Sequence, residues 1–189
     1  MFAAKNYEHL LGMQSLSDTL LKNHFKLYEG YVTNANKLIE QLKAATSGTP
    51  QYAEMRRRFG WEWNGMRLHE KYFGNLSKYA GVINPGSKIY KKITEDLGSY
   101  EEWEKDFRAA GAMRGIGWVV LAYDEEADKL MNVWVNEHDA GHLAGSRVVL
   151  VMDVFEHAFI TDFGLNRGEY IDAFFRHIDW AEVENRFVK

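Results

Sequence analysis

An unbroken run of five β-forming residues, 148–152, ends in an aspartate and is followed by a histidine four residues further on. Such a run, bounded by polar residues, is typical of a buried strand. Asp153 then lies at the end of the strand, and His157 lies where a helical pattern begins. A carboxylate and an imidazole at one strand-to-helix junction can both bind a first-row metal ion, although their spacing also fits a capped helix start.

The composition limits the chemistry that such a site could support. The 189 residues contain no cysteine, which excludes disulfides, thiolate ligands and iron–sulfur clusters. Redox chemistry would therefore need a metal held by nitrogen and oxygen atoms. A formal charge of −4 at pH 7 argues against nucleic acid and anionic membranes as partners. No apolar run approaches membrane-spanning length, and no signal pattern opens the chain, which predicts a cytoplasmic protein.

Helical periodicity dominates the first part of the chain. Apolar positions follow helical spacing from residue 20 to residue 42, after an N-cap at Ser17 or Asp18. A turn at 45–50 precedes a second helical stretch that is rich in aromatic residues. Two long helices joined by a short turn predict an antiparallel α-hairpin.

The second part of the chain has a different pattern. An Asn-Pro-Gly turn within 80–87 predicts a boundary between an N-terminal α-hairpin domain, 1–82, and a C-terminal α/β domain, 83–189. Ser99 and Glu102 form a capping box before a helix that extends to Ala112. Strands are predicted at 118–123, 130–135 and 147–152, and a helix pair at 157–163 and 168–176 closes the chain. Helices followed by a small three-stranded antiparallel sheet predict the α+β class.

The segment Asp153-Val-Phe-Glu-His157-Ala-Phe159 resembles the signature Asp-x-Trp-Glu-His-Ala-Tyr-Tyr of the iron/manganese superoxide dismutases. The resemblance continues through Asn166-Arg-Gly-Glu-Tyr170 and 178–187, and extends upstream to 98–103 and 115–118. It is colinear over nearly the whole chain and lapses mainly in the first fifteen residues. It implies an enzyme that disproportionates superoxide with one iron or manganese ion per subunit.

The resemblance implies a ligand set of His24, His69, Asp153 and His157. His69 matches the family's second-helix ligand. In the first helix, the family ligand lies eight residues before the active-site tyrosine, here Tyr31, where Asn23 stands instead. Either the helix lacks one residue and His24 takes the role, or the ligand is lost. His24 and Tyr31 are seven residues apart, which places both on one face of a regular α-helix and favours His24.

The resemblance also implies residues beyond the ligands. The family has an outer group, usually glutamine, that hydrogen-bonds metal-bound solvent, and some archaeal iron enzymes have a histidine fifteen residues before the ligand aspartate. His138 has that spacing from Asp153, while Gly65 excludes the alternative source, a glutamine four residues before the helix ligand. Tyr31 and His138 are therefore the expected catalytic residues, and His142 is expected to be structural.

Further expectations concern the surroundings of the site. Trp118 and Phe155 correspond to the aromatic wall around the metal, whereas Trp61 and Trp63 can be explained as core residues. Glu156 corresponds to a residue that reaches the ligand histidine of the opposite subunit, which predicts a homodimer or homotetramer through Glu156 and His157. Ile160 replaces the family's second tyrosine, and the histidine partner of that tyrosine on the first helix is absent.

Two alternatives follow from these departures. A protein of the same fold could bind metal with low or no turnover, as the shifted first-helix ligand and the loss of this tyrosine–histidine pair suggest. A mononuclear iron oxygenase would use two histidines and one carboxylate, and a third metal-bound imidazole would count against it.

Overall fold

The first part of the chain forms an antiparallel pair of long helices, as predicted. In this computed structural model, which describes residues 1–188, α1 spans Asp18–Ala44 and α2 spans Pro50–Gly74. Ser17 is the N-cap of α1, since its Oγ accepts a hydrogen bond from the Leu20 backbone N–H at 3.1 Å. Thr49 caps α2 in the same way, and Pro50 follows at a position where the missing N–H costs nothing.

The remaining elements form an α+β arrangement, which confirms the predicted class. The order along the chain is α3 (Lys88–Leu97), α4 (Tyr100–Ala112), β1 (Gly117–Asp124), β2 (Lys129–Asn136), β3 (Arg147–Asp153), α5 (Ile160–Phe163), α6 (Arg167–Arg176) and α7 (Trp180–Val188). Ser99 is the N-cap of α4, because its Oγ accepts from the Glu102 backbone N–H at 3.1 Å, which is one of the two hydrogen bonds of the predicted capping box. Within residues 1–188 none of the helices is long and apolar enough to cross a bilayer.

The end of the chain differs from the prediction. The expected helix at 157–163 is a 3-10 turn, Glu156–Ala158, followed by the single-turn α5. Phe159 separates them because its backbone, at φ −144° and ψ −26°, lies outside the helical range. The helix pair also does not close the chain, since α7 follows α6, and α3 precedes α4 without having been predicted.

The sheet brings three chain segments to one edge. β1 is the central strand in the order β2-β1-β3, and it is antiparallel to both neighbours. Trp118, near the start of β1, pairs with Val135 near the end of β2 and with Asp153 at the end of β3. The residues that follow β2 and β3 therefore leave the sheet at the same edge.

Candidate metal centre

The four side chains predicted as metal ligands lie together. His24 comes from α1, His69 from α2, Asp153 from the end of β3, and His157 from the turn Glu156–Ala158. One candidate ligand atom from each lies within 4.8 Å of the other three. All are buried except His157, which is partly buried. The two long helices and the sheet edge thus supply one cluster jointly.

The cluster is centred on one carboxylate oxygen. Oδ2 of Asp153 lies 3.2 Å from Nε2 of His24, 3.1 Å from Nε2 of His157 and 3.7 Å from Nε2 of His69. The other oxygen, Oδ1, accepts a hydrogen bond from the Phe155 backbone N–H at 2.8 Å. Ligand atoms about 2.1 Å from one ion, at roughly 90–120° to each other, are roughly 3.0–3.6 Å apart. The observed spacing suits a single small metal ion.

The hydrogen bonds of His69 test whether a cation fits. Its Nδ1–H donates to the Gly65 carbonyl oxygen at 2.6 Å, so the neutral ring presents the lone pair of Nε2 to Asp153. This Nε2 is buried and has no hydrogen-bond partner among residues 1–188. A cation between these two acceptors, which are 3.7 Å apart, would satisfy both. Three imidazoles and one carboxylate are a donor set that iron and manganese accept.

Burial sets the protonation that ligation requires. It lowers the pKa of His24 and, more strongly, that of His69. Burial opposes ionisation of Asp153, but the charge and hydrogen bond of His157, and then the hydrogen bond of His24, hold the pKa of Asp153 well below its usual range. At neutral pH the Asp153 carboxylate is therefore ionised, and the imidazoles of His24 and His69 are neutral. These three groups can bind a metal without losing a proton.

The helical phase places His24 in the cluster and Asn23 outside it. α1 is continuous from Asp18 to Ala44, and within it His24 is buried while Asn23 is exposed. Tyr31, seven residues after His24, lies on the same side of α1 and stacks on His69 with ring centroids 5.0 Å apart. The Tyr31 ring needs a glycine at position 65 of α2, because a Cβ there would lie 2.6 Å from Cδ1 of Tyr31.

Tyr31 and His138 form a hydrogen-bonded pair beside the cluster. Trp118 Nε1–H donates to Nδ1 of His138 at 3.0 Å, which leaves the ring proton of neutral His138 on Nε2. That Nε2–H donates to the Tyr31 hydroxyl oxygen at 2.8 Å. Burial lowers the pKa of His138 to about 4 and raises the pKa of Tyr31, so both side chains are uncharged at neutral pH. The hydroxyl proton of Tyr31 is not used within the pair.

Aromatic rings enclose the cluster and the pair. Trp118 meets His69 edge-on at 4.9 Å between centroids, and Phe155 stacks on both His157 and His138 at 5.0 and 4.7 Å. His142 lies further out, where its Nε2 donates to the His138 carbonyl oxygen at 2.9 Å. It therefore supports the backbone of the loop after β2, which carries His138, and does not join the cluster.

Tyr170 also contributes to the site, although the sequence predicts no separate role for it. Its hydroxyl donates to the Asp153 carbonyl oxygen at 2.6 Å and lies 3.1 Å from the Tyr72 hydroxyl. Both tyrosines are fully buried. The contact fixes the backbone from which the Asp153 carboxylate projects. Its only sequence signal is the position of Tyr170 in the 166–170 motif.

Other side chains stand where the family has its second tyrosine, here Ile160, and the histidine partner of that tyrosine, here Leu27 or Tyr28. Leu27 and Ile160 are 36% and 44% exposed, respectively. Tyr28 does not replace the missing histidine, because it is buried and its hydroxyl donates to Glu70 Oε1 at 3.1 Å and accepts from the Lys5 backbone N–H at 3.0 Å.

The fold and the cluster together define a metalloprotein that holds one ion with nitrogen and oxygen atoms. The family model for the C-terminal domain of iron/manganese superoxide dismutases matches residues 85–186. Superoxide dismutase (Mn) 2 of Haloferax volcanii is 36% identical over 169 residues, which cover 87% of this chain and 83% of that relative. Superoxide dismutase (Fe) of Aquifex pyrophilus is 32% identical over 186 residues, which cover 94% of this chain and 86% of that relative. This chain belongs to the iron/manganese superoxide dismutase family.

Proposed function

We propose that this protein is a superoxide dismutase, which converts two superoxide anions and two protons into dioxygen and hydrogen peroxide at one iron or manganese ion per chain. Family membership supports the reaction, and relatives named for manganese and for iron support both metals. The observation that carries the proposal is the buried group of His24, His69, Asp153 and His157. A third imidazole in this group counts against the mononuclear oxygenase.

The chain's own residues would hold the ion and would supply and position a proton. A bound iron or manganese ion supplies one-electron redox chemistry, by which one superoxide is oxidised and the next is reduced. The reduction consumes protons, and the Tyr31 hydroxyl carries one that is not shared with His138. His138 holds the Tyr31 oxygen through Nε2–H, and Trp118 fixes the tautomer of His138 from the other side. Burial keeps this pair uncharged, so its proton is positioned without competing bulk water.

The xanthine oxidase–cytochrome c assay on metal-loaded protein tests the proposed function. We expect inhibition of cytochrome c reduction in proportion to bound iron or manganese, and no inhibition by metal-free protein. The alternative of a metal-binding protein with low or no turnover predicts full metal occupancy without inhibition. That result would overturn the proposal.

Truncation of His138 to alanine should slow turnover while the fold and metal content stay unchanged. The Tyr31 hydroxyl would lose its partner at 2.8 Å, and losses of this kind cost about 10–100-fold. His138→Gln should recover part of the activity, because an amide can still donate to Tyr31 and accept from Trp118. His142→Ala should have a much smaller effect, since it removes only a contact to the loop backbone. Equal damage with metal loss in both alanine variants would contradict the role proposed for His138.

We further infer that the active protein is a homodimer or homotetramer through Glu156 and His157. Glu156 is exposed, and its carboxylate makes no hydrogen bond or ion pair within residues 1–188. The surface beside it includes Met113 and Ile116, which are 48% and 40% exposed. In a two-fold symmetric contact the same patch meets itself, so each Glu156 could reach the partly exposed His157 of the other copy.

Glu156→Ala should therefore weaken association and metal retention together. A buried interfacial carboxylate paired with an imidazole costs about 3–5 kcal/mol to break. Sedimentation velocity and metal analysis after dialysis would measure the two effects. Glu126→Ala is the matched control, because Glu126 is exposed at the β1–β2 turn, at the opposite end of the sheet. A wild-type protein that sediments as a fully active monomer would contradict this proposal.

We also propose that the chain has two domains and a cytoplasmic location. The division into domains 1–82 and 83–189 is supported by the change from a helical hairpin to a mixed α/β region. A cytoplasmic location would be tested by fractionating the native host and staining the fractions for dismutase activity.

A further inference from the structure

Trp61 contacts both members of the Tyr31–His138 pair. It lies on α2, eight residues before His69, and its side chain is half-buried. The indole meets the His138 ring at 4.4 Å between centroids and an interplanar angle of 71°, and it lies 5.5 Å from the Tyr31 ring. Packing in the core therefore does not describe the full surroundings of this tryptophan.

The polar edge of Trp61 reaches the residue before His138. Nε1–H of the indole donates to Oε2 of Glu137 at 2.9 Å. Glu137 has a φ of +48°, a left-handed conformation that an L-residue adopts only when its surroundings hold it there. Its backbone N–H donates to the Ile116 carbonyl oxygen at 3.2 Å. Glu137 is thus held on one side by its backbone and on the other by Trp61.

The other polar supports of the loop do not come from α2. Nδ1 of His138 is held by Trp118, its ring by Phe155, and its carbonyl oxygen by His142. Asn136 and Ala140 close the loop through two backbone hydrogen bonds of 2.7 and 3.3 Å. Among the described side chains, the bond between Trp61 and Glu137 is the hydrogen bond that joins this loop to α2, beside the ring contacts of His138 with Trp61 and His69.

We propose that Trp61 is a positioning residue for the dismutase reaction: through its hydrogen bond to Glu137 it fixes loop 136–140 to α2 and so holds His138 at hydrogen-bonding distance from Tyr31. The inference rests on the proposed function, because the position of the pair matters only if Tyr31 delivers protons. Small displacements of a proton-delivering pair have large kinetic effects, since a shift of about 1 Å can cost about 100-fold.

The chain offers variants that separate the hydrogen bond from the packing. Trp61→Phe removes the N–H donor and keeps a smaller aromatic ring beside His138, so the Glu137 variants, which leave the indole in place, isolate the hydrogen bond. Glu137→Ala removes the acceptor, whereas Glu137→Gln keeps an acceptor oxygen and removes the charge. Trp63→Phe is the matched control, because Trp63 lies on the same helix, is also half-buried, and packs on Phe2 and Phe59 instead.

Two readouts on metal-loaded, full-length protein test the inference. Trp61→Phe and Glu137→Ala should each lower turnover about tenfold at unchanged metal content, and the double variant should be no worse than either, because both remove the same interaction. Glu137→Gln should stay within about twofold of wild type. Hydrogen–deuterium exchange of peptides covering 136–142 should accelerate in the two damaging variants and stay unchanged in Trp63→Phe.

Several results would overturn the inference. Full turnover and unchanged exchange in Trp61→Phe would show that the indole only packs. Faster exchange over the whole chain, or loss of metal, would show a general structural role instead of local positioning. If metal-loaded wild-type protein has no dismutase activity, the proposed function fails, and unchanged exchange of 136–142 in Trp61→Phe would separately overturn the proposed anchoring.

Discussion

Replacing His24 by alanine should give a protein that no longer retains iron or manganese, while Asn23→Ala should still bind one ion per chain. His24 Nε2 lies 3.2 Å from Asp153 Oδ2 inside the buried cluster, whereas the Asn23 side chain is exposed. Without this imidazole, a buried ionised carboxylate loses one of its three neighbouring nitrogen atoms, and an ion would keep only three protein ligands. Metal analysis after dialysis would measure the difference.

The two variants change adjacent residues of the same helix. Comparing them therefore separates the loss of a ligand from any general effect of the substitution on α1. Circular dichroism should show equal helix content in both. Loss of metal from Asn23→Ala with retention in His24→Ala would mean that the register of α1 differs from the one described, and that the first-helix ligand follows the family spacing of eight residues.

Arg186→Met should lower the free energy of unfolding of metal-free protein by about 3 kcal/mol. Arg186 is 4% exposed, and its guanidinium donates to Glu182 Oε1 at 2.8 Å, to the Lys71 carbonyl oxygen at 2.9 Å and to Asn75 Oδ1 at 3.2 Å. The bonds to Lys71 and Asn75 join α7 to the end of α2. Methionine fills part of the space but cannot donate, so several charge-assisted hydrogen bonds are lost at once.

Urea unfolding of the metal-free variant separates this effect from metal binding. Arg176→Met is the control, because Arg176 is exposed and its guanidinium makes a hydrogen bond of 3.3 Å to Ser15 Oγ. We expect a change within about 0.5 kcal/mol for the control. Equal stability of the two variants would contradict the view that Arg186 joins α2 and α7.

Much of the fold can be predicted because its signals are local, whereas the ligand set of the cluster is implied by the resemblance to the family. The run before Asp153 is long enough and apolar enough to indicate a buried strand, and the helical spacing of His24 and Tyr31 indicates that they share a face. The antiparallel order of the sheet then explains why the loop after β2 and the end of β3 meet, since both adjoin the start of β1.

The features that the sequence does not predict depend on tertiary contacts. The break at Phe159 is a backbone conformation that the apolar pattern of 157–163 does not reveal. Trp61 has the pattern of a core residue, and its hydrogen bond joins residues 76 positions apart in the chain. Tyr170 likewise acts on Asp153 through a carbonyl group, which every residue has. Periodicity reports which side of an element is buried and gives no information on such pairings.

An anomalous difference map from crystals of the manganese-loaded protein would test the central claim most directly. We expect one peak per chain, surrounded by Nε2 of His24, Nε2 of His69, Nε2 of His157 and Oδ2 of Asp153. A peak elsewhere in the molecule, or one bound by only two of these histidines, would contradict the proposed dismutase centre.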